Sequence, residues 1–161
     1  MMLPRFVAFA VMLAGVCGSA QTLNLDSPAR KGHVSYIAEP ATVQEGKASD
    51  VELYFRVADG MHINSHTPGD STLIPTTLTL QPLAGVKADS IRFPAGTKYA
   101  FSFAPREKLS VYTGDFVVKV RVNAVRAGSY TLAGALRYQS CDNMQCYPIK
   151  TLPVAVILTV R

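Results

Sequence analysis

Beyond residue 32, hydrophobic and polar residues alternate with a period of two along most of the chain, and this period sets the expected secondary structure. Val51, Leu53, Phe55 and Val57 alternate with Glu52, Tyr54, Arg56 and Ala58, the pattern of a strand with one face in a core and the other in water. Phe116, Val118, Val120 and Val122 repeat it against Val117, Lys119, Arg121 and Asn123. Tyr130, Leu132, Gly134, Leu136 and Tyr138 form a third series, and Val154, Val156, Leu158 and Val160 a fourth. Shorter strands are predicted over 33–39, stopped by Pro40, over 73–80 with Pro75 at an edge position, and over 90–93. Asp59-Gly60 and Ala127-Gly128 supply turns. The stretch 94–108 reads as irregular and rich in aromatics, although Tyr99, Phe101 and Phe103 are also spaced like one face of a strand. No segment after residue 20 carries a helical stripe. Seven or so short strands with regular turn signals predict an all-β protein, an antiparallel immunoglobulin-like β-sandwich.

The N-terminus departs from this pattern. Arg5 precedes an unbroken apolar run over 6–16, followed by Gly18-Ser19-Ala20, which reads as a signal peptide over 1–20 with cleavage before Gln21. The run is too short for the roughly 20 residues of a membrane span. Cys17 would be the acylated residue of a lipoprotein, but Val16 before it is larger than such sites want. Residues 21–32 form a polar lead-in and 33–161 a single β domain, long enough to bury a core without cross-links. The apolar segment 154–160 is fenced by Pro153 and Arg161, so no membrane span is expected after cleavage. Of 16 Lys and Arg, removal of Arg5 leaves 15 against 11 Asp and Glu, a net charge of +4. These charges are scattered over strand faces, as at Glu52, Arg56, Lys119, Arg121 and Arg137, and form no basic stripe of the kind a nucleic-acid partner needs.

Cleavage leaves two cysteines, Cys141 and Cys146, where one alternating segment ends and the next begins. Facing residues of an antiparallel pair lie about 4.5–5.5 Å apart at Cα, close enough for a disulfide. Closing so short a loop contributes only about 2 kcal/mol in the chain-entropy account, which makes a poor staple. Spacing alone leaves open whether the bond is structural or redox-active. No helix follows either cysteine to depress its pKa, Asp142 opposes thiolate formation, and only Arg137 and Lys150 could assist it, so an isolated thiol here should be sluggish.

Several segments together resemble the N-terminal periplasmic domain of DsbD, the thiol:disulfide interchange protein that carries electrons across the bacterial inner membrane. They are Gly60-Met-His-Ile-Asn-Ser-His-Thr-Pro-Gly-Asp70, Leu109-Ser-Val-Tyr-Thr-Gly114, and Tyr138-Gln-Ser-Cys-Asp with Cys146-Tyr-Pro148. The resemblance spans nearly all of the mature chain and implies an immunoglobulin-like sandwich in the periplasm with a redox-active cysteine pair near one end. It implies that Cys141 and Cys146 are that pair, with Cys146 forming mixed disulfides. A thioredoxin-like domain would be the reductant, and oxidised periplasmic thiol-disulfide proteins, such as the DsbC isomerase, would be the acceptors. It further implies a cap loop that lays an aromatic ring over the cysteines, with Phe103 the best match and Phe101 the next; the competing reading places both rings in the core. The sequence holds no Cys-x-x-Cys motif, so the reductant is expected on another polypeptide. No cofactor is implied. Two other readings compete: a secreted binding or structural sandwich with a merely structural disulfide, and a copper-handling domain using Met61, His62, His66, Met144 and the thiols. Nothing in the sequence has the form of a nucleophile elbow or phosphate loop.

Overall fold

The computed structural model describes residues 32–101 and 104–161, with side chains for all of these except 101–108. The expected signal segment 1–20 with Cys17, the lead-in up to residue 31, and Phe103 lie outside the described residues, as does the side chain of Phe101. Twelve strands follow in order: β1 (Val34–Ile37), β2 (Ala41–Val43), β3 (Ser49–Val57), β4 (His62–Asn64), β5 (Thr77–Leu80), β6 (Val86–Arg92), β7 (Thr97–Phe101), β8 (Ala104–Tyr112), β9 (Asp115–Ala124), β10 (Gly128–Tyr138), β11 (Ser140–Cys141) and β12 (Lys150–Val160). No helix occurs among the described residues.

Two four-stranded sheets carry the orders β1-β3-β9-β6 and β2-β12-β10-β5. Lettered along the chain, the first is the A-B-E-D sheet of an immunoglobulin fold and the second its C-F-G sheet, with β2 added to the G edge as a parallel strand. Each long strand turns its apolar set inward. Val51, Leu53, Phe55 and Val57 of β3 and Phe116, Val118, Val120 and Val122 of β9 share one buried core with Leu132 and Leu136 of β10 and Val154, Val156, Leu158 and Val160 of β12. The outward face of the first sheet carries ion pairs: Arg56 with Asp115 at 2.6 Å, Lys119 with Glu52 at 2.7 Å, and Asp50 with both Arg92 at 2.6 Å and Arg121 at 3.3 Å.

The β-sandwich expectation holds, with corrections to individual strands. Most of the segment 94–108 is strand rather than irregular, in residues 97–101 and 104–108: β7 and β8 pair through Thr97↔Val111, Lys98↔Ser110 and Tyr99↔Leu109. Consecutive Arg106, Glu107 and Lys108 interrupt the alternation that marks a strand in the sequence. The strand expected over 73–80 is confined to Thr77–Leu80. Ahead of it, side-chain bonds replace a ladder: Asn64 Nδ2 donates to the Ile74 carbonyl at 2.9 Å, and Thr76 Oγ1 donates to the Asn64 carbonyl at 2.5 Å. β6 starts earlier than expected and carries a bulge between Ala88 and Ser90. Pro153 lies inside β12 rather than before it, opposite Ala135. It is tolerated because β2 borders β12 only at Leu158, Thr159 and Val160, so no partner strand needs the missing N–H.

A third sheet, β11-β4-β8-β7, is built entirely from connections at one end of the sandwich. β4 lies in the B–C connection, the β7–β8 hairpin in the D–E connection and β11 in the F–G connection, and these meet at the same end of an immunoglobulin fold.

Candidate functional site

Both cysteines lie in the F–G connection. β10 ends on buried Tyr138, β11 carries Ser140 and Cys141, and a four-residue turn over 142–145 returns the chain to Cys146. Asp142 N donates to the Gln145 carbonyl at 2.9 Å and Tyr147 N to the Ser140 carbonyl at 2.8 Å. These bonds flank Cys141 and Cys146, making them a non-hydrogen-bonded antiparallel pair, the position at which facing side chains approach most closely. The two are joined by a disulfide with Cα atoms 4.0 Å apart. Their environments differ: Cys141 is 2% exposed, whereas Cys146 is exposed.

The Asp142 carboxylate organises the turn. Its Oδ1 accepts from Met144 N at 2.7 Å and Gln145 N at 2.8 Å, an Asx turn, and its Oδ2 accepts from the Tyr147 hydroxyl at 2.7 Å. These bonds, the one from Tyr147 foremost, hold its carboxyl below the ordinary carboxylate range. Behind the turn, the Tyr147 ring meets His33 edge-on at 4.7 Å, His33 Nδ1 lies 2.8 Å from Ser140 Oγ, and Gln139 Nε2 donates to the Tyr147 carbonyl at 3.1 Å. The loop is therefore tied down on both sides by bonds that do not involve sulfur.

β4 brings a second group to the cysteines, since His62 is the register partner of Cys141. Its imidazole is 2% exposed, and burial pushes its pKa below the ordinary histidine value, with the Asp142 charge acting in the opposite direction. Tyr99, half-buried on β7, lies over the His62 ring with centroids 4.3 Å apart, and its hydroxyl donates to Asn143 Oδ1 in the cysteine turn. Beside this contact is an open cleft of about 320 Å³, lined among others by Gly60, Met61, His62, Tyr99, Gly114 and Asn143.

Of the residues singled out in the sequence, Cys141, Cys146 and Asp142 are brought together. Arg137 is on the exposed face of β10. His62 and His66 have separate surroundings, for His66 stacks on Phe93 at 4.3 Å with Nδ1 2.9 Å from the Thr76 carbonyl. Met144 is 87% exposed at the tip of the cysteine turn. No group of three His, Cys, Asp or Glu side chains placed to hold a metal ion occurs among the described residues. Tyr99 and His33 were not legible as site residues, because they arrive from β7 and from the residue before β1; Asn143 and Tyr147 lie in the cysteine segment itself, but their hydrogen bonds appear only in the folded turn. An Asx turn was the available clue, in Asp142 two and three residues before Met144 and Gln145.

An immunoglobulin-like sandwich that carries a half-exposed disulfide in its F–G turn, under a D–E hairpin, belongs to the thiol-bearing β-sandwich domains. Residues 34–157 match the family described as thiol:disulfide interchange protein DsbD, N-terminal, and the chain belongs to that family. No curated protein matches it. Among solved structures it is similar to the Neisseria meningitidis DsbD N-terminal domain in the reduced form, with 20% identity over 74% of this chain and 82% of that one and a TM-score of 0.46. The N-terminal periplasmic domain of ScsB from Proteus mirabilis is 13% identical over 76% of this chain and 43% of that one, with a TM-score of 0.48. A complex between the DsbD N-terminal and PilB N-terminal domains from Neisseria meningitidis contains a chain 19% identical over 66% of this chain and 73% of that one, with a TM-score of 0.42.

Proposed function

We propose that the protein is a periplasmic thiol-disulfide exchange protein that passes reducing equivalents from a thioredoxin-like donor to oxidised protein partners through Cys141 and Cys146. The observation that carries this reading is the asymmetry of the pair, with one sulfur-bearing residue buried and the other exposed at the base of the turn. A structural staple has no need of an exposed end, and so short a loop contributes only about 2 kcal/mol as a staple.

In the first half-reaction a donor thiolate attacks Sγ of Cys146, the Cys141–Cys146 bond breaks, and Cys141 leaves as a thiolate that takes up a proton. The donor's second thiolate then attacks the donor sulfur of the mixed disulfide, releasing Cys146, so the donor dithiol is oxidised and the pair gains two electrons and two protons. In the second half-reaction the Cys146 thiolate attacks an acceptor disulfide, and Cys141 resolves the mixed disulfide to restore the intramolecular bond. Exchange requires in-line access to sulfur and depends on the thiolate fraction of the attacking group. Asp142 keeps a negative charge next to Cys141 and disfavours thiolate formation, so a docked partner supplies the reactive group and stray exchange is slow. The β7–β8 hairpin acts as the cap, with Phe103 and then Phe101 the rings assigned to cover the pair, and the bond from Tyr99 to Asn143 supports this placement. Export by the segment 1–20 would place the domain in an oxidising compartment.

The test is a pair of substitutions. Cys141→Ser is expected to accumulate a mixed disulfide with a thioredoxin-like protein through Cys146, and Cys146→Ser to accumulate none, as read by intact mass after alkylation. A reduction potential of the native pair below about −300 mV would instead mark a structural bond.

A further inference from the structure

Met144 stands out among the exposed apolar side chains. It is 87% exposed, it lies between the two cysteines, and its backbone is pinned by the Asp142 carboxylate at 2.7 Å. A flexible apolar side chain on a rigid turn, two residues before an exposed cysteine, is left almost wholly exposed. The residues following it extend the same character: Pro148 is exposed and Ile149 is 41% exposed. Residues 143–149 contain no charged side chain; of the two charges that adjoin them, Asp142 is turned inward onto two N–H groups and the Tyr147 hydroxyl, and Lys150 opens β12 four residues beyond Cys146.

Resting on the exchange function proposed above, we infer that Met144 is the specificity-determining contact of this site. It is an apolar anchor that seats in an uncharged apolar recess beside the reactive cysteine of a partner dithiol protein, and Asp142 is its positioning residue. The uncharged run 143–149 that carries Met144 and Cys146 selects a partner whose cysteine has an uncharged rim, because burying an unpaired charge against this run would be costly. Methionine suits a carrier that meets more than one partner, since its unbranched, polarizable thioether adapts to differently shaped recesses. The anchor acts only on encounter with a folded partner. A small thiol reaches Cys146 without it.

The oxidised protein is mixed with reduced bacterial thioredoxin as the protein probe and, separately, with dithiothreitol as the small-thiol probe, and thiol release is followed for wild type, Met144→Ser and Met144→Leu. Met144→Ser is expected to lower the second-order rate constant with thioredoxin about tenfold, equivalent to about 1.4 kcal/mol. The dithiothreitol rate should stay within about twofold, and Met144→Leu should restore the thioredoxin rate. The wild-type thioredoxin rate should also change little as salt is raised, unlike a charge-steered encounter. Equal slowing with both probes, or slowing with neither, overturns the anchor while leaving the exchange function intact. A wild-type disulfide that dithiothreitol reduces but thioredoxin does not overturns the exchange function and the anchor with it. A concentration-dependent dimer that Met144→Ser abolishes on size-exclusion chromatography overturns the inference by making a second copy of this chain the occupant.

Discussion

Cys141 and His62 are register partners on neighbouring strands and both are 2% exposed, so the buried half of the disulfide shares its environment with a titratable ring. Burial holds the His62 pKa below its ordinary value of about 6.5, which means the unfolded chain binds a proton at a higher pH than the folded one does. Stability from this group is therefore complete above pH ~6.5 and is lost as the pH falls below that value. The melting temperature should drop between pH 7.5 and 5, and His62→Gln should flatten that drop; a drop of the same size in the variant would assign it to another group. The carboxylates held low by partners, Asp50, Glu52, Asp115 and Asp142, act in the same direction but in a more acidic window. A second residue is constrained by space alone. A Cβ at Gly134 would lie 2.5 Å from the Thr79 carbonyl oxygen and 2.9 Å from Leu80 Cδ2, on the strand that pairs with β10 at that point. Because the nearest atom is backbone, Gly134→Ala should displace β5 and destabilise the domain by about 1–3 kcal/mol in denaturant unfolding. A neutral result would mean that β5 shifts at no cost.

At the scale of elements, the cysteine turn and the β7–β8 hairpin are separate pieces joined across the site by the bond from the Tyr99 hydroxyl to Asn143. Removing that hydroxyl leaves the ring on His62 but removes this tie between the hairpin and the turn. Tyr99→Phe should raise the rate of reduction by glutathione severalfold while changing the melting temperature little. Phe103→Ala should do the same if that ring caps the pair. Loss of a core phenylalanine would instead cost about 3–5 kcal/mol with no gain in rate, and that outcome would return Phe103 to the core. The Thr113-Gly114 turn that leads from β8 into β9 needs Gly114 at φ 58°, a left-handed conformation that glycine adopts freely.

For the whole molecule, the core lies between the two large sheets and the disulfide lies at their end, so the fold does not depend on the bond. Reduction should lower stability by about 2 kcal/mol and leave far-ultraviolet circular dichroism at 25 °C unchanged. Cooperative unfolding on addition of dithiothreitol would show the bond to be a staple. The hydrogen bonds around Asp142, Tyr147, Ser140 and Gln139 should keep the turn close to its oxidised shape after reduction.

Much of the sandwich was legible because strands buried on one face must alternate, and β3, β9 and β12 do so, as does β10 on either side of Ala133-Gly134-Ala135. The pairing of Cys141 with Cys146 was legible for the same reason, since both stand at the mouth formed by two such strands. The sequence by itself thus determined the class of fold, the position of the disulfide and, through its motifs, the family. Tertiary structure alone decided which cysteine is buried, that His62 lies beside it, and that Tyr99 reaches Asn143 from a hairpin more than 40 residues away in the chain. Those facts depend on three connections meeting at one end of the sandwich. The strands there are only two or three residues long, as in β4 and β11, or interrupted by charge, as in β8, and too short or mixed a segment leaves no period to read.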